Sequence, residues 1–446
     1  MGSTTAEKLS EILVAQYLAK HGYDGALLNF LKESDLSRSA VQIGNDNFED
    51  LEEIVAERIE FNETKINAQL ANLSLNDAIA PLDPKFYLPS WDHTQNLVTA
   101  DITQQPASLA VDLSFTGDSQ LSVSTVDRNV YYYGSDLNLA KKLKINSGVV
   151  KRCGTLSRDN ETWYFACGMH GNLTIFDNNF QFLVEHQLHT RIVKDVDFYH
   201  HKETSKCYCF SSGLDNYVKV HLIDLKTLTT TLVASLKLTT SCTSFQVAQT
   251  KEELPVLLLT HQDHSQLFIY ALNEDQLVET HKLAMSNAQF SSHSFNVQSS
   301  CILSFRDNRT DTNREQLNFH LPVLEDGSMV AIATSHVPYM RVIILELPII
   351  TSQSTSRIHY DKILRNMATM IPQDSFSSAI LKSCRPSRGL IVGSDFGVYG
   401  IDVANCDSWP LIQEGKRVKA LDAFQDRLAI AYANSQVDVF YWRQEA

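Results

Sequence analysis

Two carboxylates stand two residues apart at Asp195 and Asp197, in the run Val193-Lys194-Asp195-Val196-Asp197-Phe198. On a strand, residues so spaced share a face, and paired carboxylates on one face are the raw material of general acid and base catalysis. Nothing nearby in sequence supplies an acid/base partner or a substrate pocket, so the pair is left without a reaction. The stretch His261-Gln262-Asp263-His264 offers donors that a divalent ion takes, but it falls in a turn between two apolar runs. His200-His201 lies in an expected loop. Asp395-Phe396-Gly397 matches the metal-binding tripeptide of protein kinases, yet the Gly-rich phosphate loop, the strand lysine and the catalytic His-Arg-Asp are absent. No GxSxG elbow, P-loop or GxGxxG occurs. The eight cysteines have no zinc spacing, and Cys207 and Cys209 read as buried free thiols on one strand face. The sequence therefore predicts a protein that is not an enzyme, with no catalytic residue, cofactor, metal or small-molecule substrate.

The bulk properties narrow the classes further. Of 446 residues, 43% are hydrophobic and 20% charged, a balance that buries a sizeable core. The net charge of −14 argues against a strong phosphate-backbone binder, which gains affinity by neutralising phosphates with Lys and Arg. The acid is uneven: the residues before Pro81 hold 6 basic and 14 acidic side chains. No leader pattern and no run of about 18 apolar residues occurs, so the expectation is a soluble intracellular chain, cytoplasmic or nuclear.

Those side chains need elements to hold them, and the first elements are helical. Between Leu9 and Glu33, Ile12, Leu13, Tyr17 and Leu18, then Ala26, Leu27, Phe30 and Leu31, recur at helical spacing. Gly22 between the two sets ends the first helix. A hairpin of two three-turn helices cannot enclose a core, so a second copy is expected to cover it. The positions Leu13, Tyr17, Leu18, Gly22, Tyr23, Ala26, Phe30 and Glu33 resemble the LisH motif, with every signature place filled. That resemblance implies a four-helix homodimer. A third helix is expected from Phe48 to Leu73, where Leu51, Val55, Ile59, Asn62, Ile66, Leu70 and Leu73 form a seam suited to a short coiled coil.

After three prolines at Pro81, Pro84 and Pro89, short alternating or wholly apolar runs recur about every 40–50 residues, the spacing of a propeller. The clearest repeat opens at His189 and runs through Val193, Val196 and Phe198 to Ser212-Gly213, Asp215 and an alternating strand. It resembles a WD40 blade. Weaker copies of the second half lie at Ser124 to Tyr133 with Asp127, Ala166 to Asp177 with His170, and Leu259 to Tyr270 with Asp263. Others lie at Ala333 to Leu345, at Val392 to Asp402 with Asp395, and at Ala431 to Tyr441 with Asn434. The terminal Trp-Asp pair is absent from all of them, so most blades are expected to rely on apolar packing. In the family, His189 and the turn residues Asp127, Asp215, Asp263 and Asp395 are structural. Polar insertions at Asp307 to Gln316 and Thr351 to Asp361 are expected between strands of the fifth and sixth blades.

The fold expected is mainly β: a seven-bladed WD40-like β-propeller over residues 105–446, preceded by a LisH hairpin over 1–40, an amphipathic or coiled-coil helix over 41–76, and a linker and entry to the propeller over 77–104. Lys144, Lys151, Arg152, Arg191, Lys416 and Arg417 fall where one blade hands over to the next, a rim that could face an acidic peptide or helix. The order of domains is similar to that of Lis1-type dynein and microtubule regulators, and in outline to histone-deacetylase corepressor subunits and LisH-containing ubiquitin-ligase adaptors. The common expectation is a scaffold that homodimerises and binds proteins within a larger complex. Nucleic-acid or membrane-surface binding is the remaining alternative, with no strong signal for either.

Overall fold

The computed structural model describes residues 6–38, 51, 52, 54, 55, 59, 82–116, 119–158, 161–201, 206–286, 295–303, 305, 321–412 and 415–444. The chain divides into two compact units, Met1–Asp77 with Asn287–Phe290, and Ala78–Ser286 with Ser291–Ala446. In the first, α1 (Ala6–Lys20) and α2 (Asp24–Glu33) form the expected hairpin. Gly22 takes a φ of 71°, and the amides of Gly22 and Tyr23 donate to the carbonyls of Ala19 and Leu18 at 3.2 and 2.9 Å. This closes the helix end with a left-handed residue that a Cβ would penalise. Leu13, Ala15 and Leu31 are buried, while Tyr23 and Leu28 remain about half exposed. Apart from Leu51, Glu52, Ile54, Val55 and Ile59, the helix expected from Phe48 to Leu73 lies outside the described residues.

The second unit begins its strands with β1 (Gln95–Ala100), followed by β2 (Ala110–Phe115), β3 (Leu121–Thr125), β4 (Asn129–Tyr133) and β5 (Leu139–Lys144). Next come β6 (Val150–Arg158), β7 (Glu161–Gly168), β8 (Asn172–Phe176) and β9 (Phe182–Gln187), then β10 (Val193–His200), β11 (Lys206–Gly213), β12 (Tyr217–Asp224) and β13 (Thr229–Lys237). A fourth group is β14 (Cys242–Thr250), β15 (Pro255–His261), β16 (Gln266–Asn273) and β17 (Gln276–Ala284). A fifth holds β18 (Val297–Ile302), the two-residue β19 (Val323–Leu324), β20 (Met329–Thr334), β21 (Tyr339–Glu346), the two-residue β22 (Ile358–His359) and β23 (Ile363–Pro372). The last are β24 (Ile380–Cys384), β25 (Gly389–Ser394), β26 (Gly397–Asp402) and β27 (Asp407–Ile412), then β28 (Val418–Phe424), β29 (Arg427–Tyr432) and β30 (Val437–Gln444).

Among the described residues these strands make seven sheets: six have four antiparallel strands, and the fourth has six, its antiparallel four flanked by β19 and β22 in parallel pairing. The innermost strands touch in a closed circuit, β2 to β6, β10, β14, β18, β24, β28 and back to β2. This is the arrangement of a β-propeller. The second and third strands of a sheet have neighbours on both faces, which is why runs such as Leu121–Thr125, Pro255–His261 and Met329–Thr334 are buried throughout. Fourth strands such as β9 and β13 face water on one side and alternate. Each fully buried Leu or Ile contributes roughly 1.5–3 kcal/mol, so apolar packing between sheets is the main source of stability.

One placement differs from the sequence reading, and another adds a strand to it. The insertions around residues 307–316 and 351–361 both fall in sequence between strands of the fifth sheet, and the short strands β19 and β22 join the edges of the fourth. β19 pairs in parallel with β14 at Gln249 and Thr250, and β22 pairs in parallel with β17 at Lys282 and Leu283. Residues 307–316 themselves lie outside the described residues. Within the linker and propeller entry expected over 77–104 lies β1, which pairs antiparallel with β30 and completes the last sheet. Ahead of it, Trp91 is buried against Trp409 and Trp442, with ring centroids 4.9 and 5.9 Å away. Its amide donates to Asp402 Oδ2 at 3.1 Å, and the next amide, of Asp92, donates to the Ser387 carbonyl at 2.8 Å.

Gly389 makes room for this indole: a Cβ there would sit 2.2 Å from Trp91 Cε3 and 2.6 Å from the Ile401 carbonyl. We predict that Trp91→Ala lowers unfolding stability by about 3–5 kcal/mol, and that Gly389→Ala is also destabilising because the ring must be displaced. Chemical denaturation checks both, and wild-type midpoints would contradict the assigned role of this segment.

Candidate binding face at the mouth of the central channel

Six of the seven inner strands share a local defect. Their pairing to the second strand slips between Ala110 and Asp112, Val150 and Arg152, Val193 and Asp195, Cys242 and Ser244, Val297 and Ser299, and Val418 and Ala420. The first residue of each is buried. The extra residue of each bulge, Val111, Lys151, Lys194, Thr243, Gln298 or Lys419, is re-aimed and lines a central channel of about 660 Å³. β24 pairs without a slip.

Just inside this level, side chains tie each sheet to the next. Arg152 reaches Asp112 on one side and Asp195 Oδ1, at 2.5 Å, on the other. Lys194 Nζ donates to the Cys242 carbonyl, Ser244 and Ser300 join through their hydroxyls, and the Leu381 amide donates to Ser299 Oγ at 3.1 Å. Lys382 Nζ meets Asp422 Oδ1 at 2.7 Å, and the Phe115 amide donates to Asp422 Oδ2 at 2.9 Å. All seven junctions are spanned. Burial raises the Asp112 carboxyl above its usual range, with Arg152 offsetting part of the effect. At Asp195 burial acts the same way, but the Arg152 charge outweighs it and holds the carboxyl low. Asp195 is bound to Arg152, and Asp197 accepts the Phe198 amide through Oδ1.

The mouth itself carries surplus positive charge. Lys151 and Lys419 make no ion pair or side-chain hydrogen bond among the described residues, and Lys194 meets a carbonyl rather than a carboxylate. Burial and then the neighbouring Arg152 push the Lys151 ammonium below its usual range. Sequence reasoning missed Lys194, Lys382, Lys419 and Asp422. A signal for three of the mouth positions was present in the repeated Val-Lys of Val150-Lys151, Val193-Lys194 and Val418-Lys419, each at the start of an inner strand.

Around the mouth lies a discontinuous apolar collar. The amides of Val126, Met169 and Leu214 donate to the carbonyls of Leu109, Val149 and Ile192, one residue before β2, β6 and β10, which fixes these turns at the lysine end. Their side chains are 44%, 46% and 37% exposed. Turns at the same end of the fifth and sixth sheets expose Val337 and Phe396, and the connection into β24 exposes Phe376 at 91%.

The residues singled out from sequence scatter over this framework. Lys151 and Arg152 lie in the channel, because they sit on an inner strand rather than in a loop. Arg417 pairs with Asp395, Nη2 to Oδ2 at 2.9 Å, and Lys416 Nζ meets Gln436 Oε1 at 3.1 Å. Lys144 ends the outer strand β5 and Arg191 is exposed in the turn before β10, so the six do not form one cluster. His189 Nδ1 lies 3.0 Å from Asp215 Oδ1, and Nε2 lies 2.9 Å from Ser211 Oγ. Burial lowers the His189 pKa despite Asp215, so the neutral ring donates from Nδ1 and accepts at Nε2. Asp127 instead gathers Thr125 and Asn129 across its own turn.

Other reactive groups are committed elsewhere. Burial pushes the thiols of Cys153, Cys242 and Cys301 up to about 12, away from nucleophilic use. His261 hydrogen-bonds Thr240 and stacks on Phe268, and burial takes its pKa to about 4. Among the described residues no three His, Cys, Asp or Glu side chains converge on a point. No helix among them is long and apolar enough to cross a membrane.

Replacing Arg152 with Ala strands Asp112 and Asp195, and we predict a loss of about 2–3 kcal/mol, less than the roughly 3–5 kcal/mol of a fully buried pair because the guanidinium fronts the channel. Converting both aspartates to Asn in the same chain is expected to recover most of that loss in thermal or urea unfolding. Equal stability of Arg152→Ala and wild type would count against the bridge.

The comparisons agree with this architecture. A family model described as UCP007778, beta-propeller domain, matches residues 73–443. The Saccharomyces cerevisiae protein "Uncharacterized protein YGR117C" is 28% identical, with the match covering 98% of each chain. The match to the family model begins ahead of β1 and ends within β30, so it includes both strands of the closing pair. The chain belongs to the UCP007778 beta-propeller family.

Proposed function

We propose that this protein is a non-catalytic scaffold whose seven sheets are the blades of a WD40-type propeller, binding partner proteins on the lysine end of its channel. The observation that carries this reading is the apolar collar: Val126, Met169, Leu214, Val337, Phe376 and Phe396 are all exposed at that end. Apolar side chains gathered around a mouth rimmed by polar groups are the composition of a protein-binding patch. The outer strands also expose large side chains, such as Phe182 at 61% and Leu232 at 55%, and these serve as internal controls. A photo-crosslinking residue placed at Phe396 or Phe376 in cells is expected to give discrete protein adducts, whereas one at Phe182 or Leu232 gives none. Adducts from the outer strands alone would overturn the assignment of the face.

The N-terminal hairpin serves as a LisH-type dimerisation element. Supporting this, the hairpin leaves Tyr23 and Leu28 exposed at 53% and 52%, and Val55 and Ile59 are 48% and 55% exposed. Two helices of this length are marginal alone, and a second copy supplies the missing apolar surface. The intact chain is expected to have a dimer's mass by light scattering, and Leu28→Asp, at a position already half in water, to halve it. A monomeric intact chain, or a variant that stays dimeric, would remove the LisH reading.

A further inference from the structure

We propose that the channel mouth is a receptor for the carboxylates of an acidic peptide segment of a partner protein, gripped by Lys151, Lys194 and Lys419 while its apolar neighbours rest on the collar. This rests on the protein-binding reading of the same face and names the chemistry of its occupant.

Charge and geometry select that occupant together. Deeper in the channel every basic group has an acidic mate: Arg152 has Asp112 and Asp195, and Lys382 has Asp422. At the bulge level none of the three lysines is in ion-pair contact with a carboxylate, and Asp112 and Asp195, both taken by Arg152, reach Lys151 only at longer range. The extra residue of a bulge is free of the ladder, so an ammonium placed there is aimed by the backbone rather than by a salt bridge. Burial and the Arg152 and Lys194 charges disfavour the Lys151 ammonium more than Asp112 and Asp195 favour it, so an anion arriving at the mouth relieves it. Thr243 and Gln298, at the matching positions of the next two sheets, add neutral hydrogen-bonding groups to the same ring.

The collar distinguishes a peptide from a bare phosphate or polyphosphate. A small inorganic anion satisfies the lysines and leaves Val126, Met169, Leu214 and Phe396 in water, whereas a chain with alternating acidic and apolar side chains engages both. The protein as a whole carries a net charge of −14, which opposes an acidic partner at long range. Affinity for acid must therefore be local to the mouth, and sensitive to removing two of its charges.

The test uses the full chain with two fluorescent probe peptides, one with paired glutamates flanked by leucine and phenylalanine, the other identical but with glutamines. At low salt the glutamate peptide is expected to bind about tenfold more tightly than its twin, a preference worth about 1.4 kcal/mol. In the double variant Lys151→Gln, Lys419→Gln the preference collapses while binding of the glutamine peptide is unchanged. Neither lysine has a structural partner among the described residues, and an unchanged melting temperature verifies that the variant folds. Phe396→Ser is expected to weaken both peptides alike. If the glutamine peptide binds as well as the glutamate one, the acidic occupant is wrong and the protein-binding face stands. If neither binds, both fall. Inorganic polyphosphate displacing the glutamate peptide at a lower concentration than unlabelled peptide would overturn the proposal in favour of a phosphate site.

Discussion

Strand β1 joins β30 through six residue pairs, from Gln95 with Gln444 to Ala100 with Val439, and the β unit hangs on this ladder. A circle of sheets has no intrinsic first member, so each sheet finds both neighbours only if the two ends of the circle meet. The last sheet borrows its outermost strand from the segment that precedes the first. Backbone hydrogen bonds between distant parts of the chain thus do what a covalent clasp would do. The Trp91 cluster secures the borrowed strand on its approach, with the indole seated beside Gly389 and the Trp91 amide on Asp402.

Once the circle is closed, two kinds of interaction divide the labour. The buried, mostly apolar middle strands supply most of the free energy but little orientation, since dispersion and burial are non-directional. Orientation comes from the polar links between inner strands. Arg152 is the most constrained of these, because its planar fork must meet carboxylates from two sheets at once. The buried His189 follows the same logic: burial lowers its pKa, so it links Asp215 and Ser211 as a neutral hydrogen-bonding group rather than as a charge.

Legibility in the sequence followed the physics of each element. The turns after the second strands were readable because they combine a tight turn with apolar runs on either side. Asp127, Asp215, Asp395 and Asn434 fall in such turns, with the neighbours Arg128, Asn216 and Ser435 at positive φ. The hairpin was readable through Gly22 and its helical spacing. β1 was not: Gln95–Ala100 is half exposed on an edge, lacks clear alternation and has its partner more than three hundred residues away. The two-residue strands β19 and β22 carry no period at all. Arg152 was placed on a rim because clustering along the sequence was taken for clustering in space. The Val-Lys repeat carried the better signal, since equivalent positions on repeated strands converge while neighbours on one strand diverge.

The closing ladder also orders events in time. On a ribosome adding roughly 5–20 residues each second, β1 emerges more than three hundred residues before β30, and spends tens of seconds or longer with an edge that nothing yet occupies. During that interval the nascent chain is an open arc with a bare strand at its leading end, the kind of edge that invites pairing with another chain. Half exposure and the polar ends Gln95, Asn96 and Thr99 make this strand a poor template for such encounters. The weakness that hid β1 from a sequence reading is what keeps it available until its own partner is made.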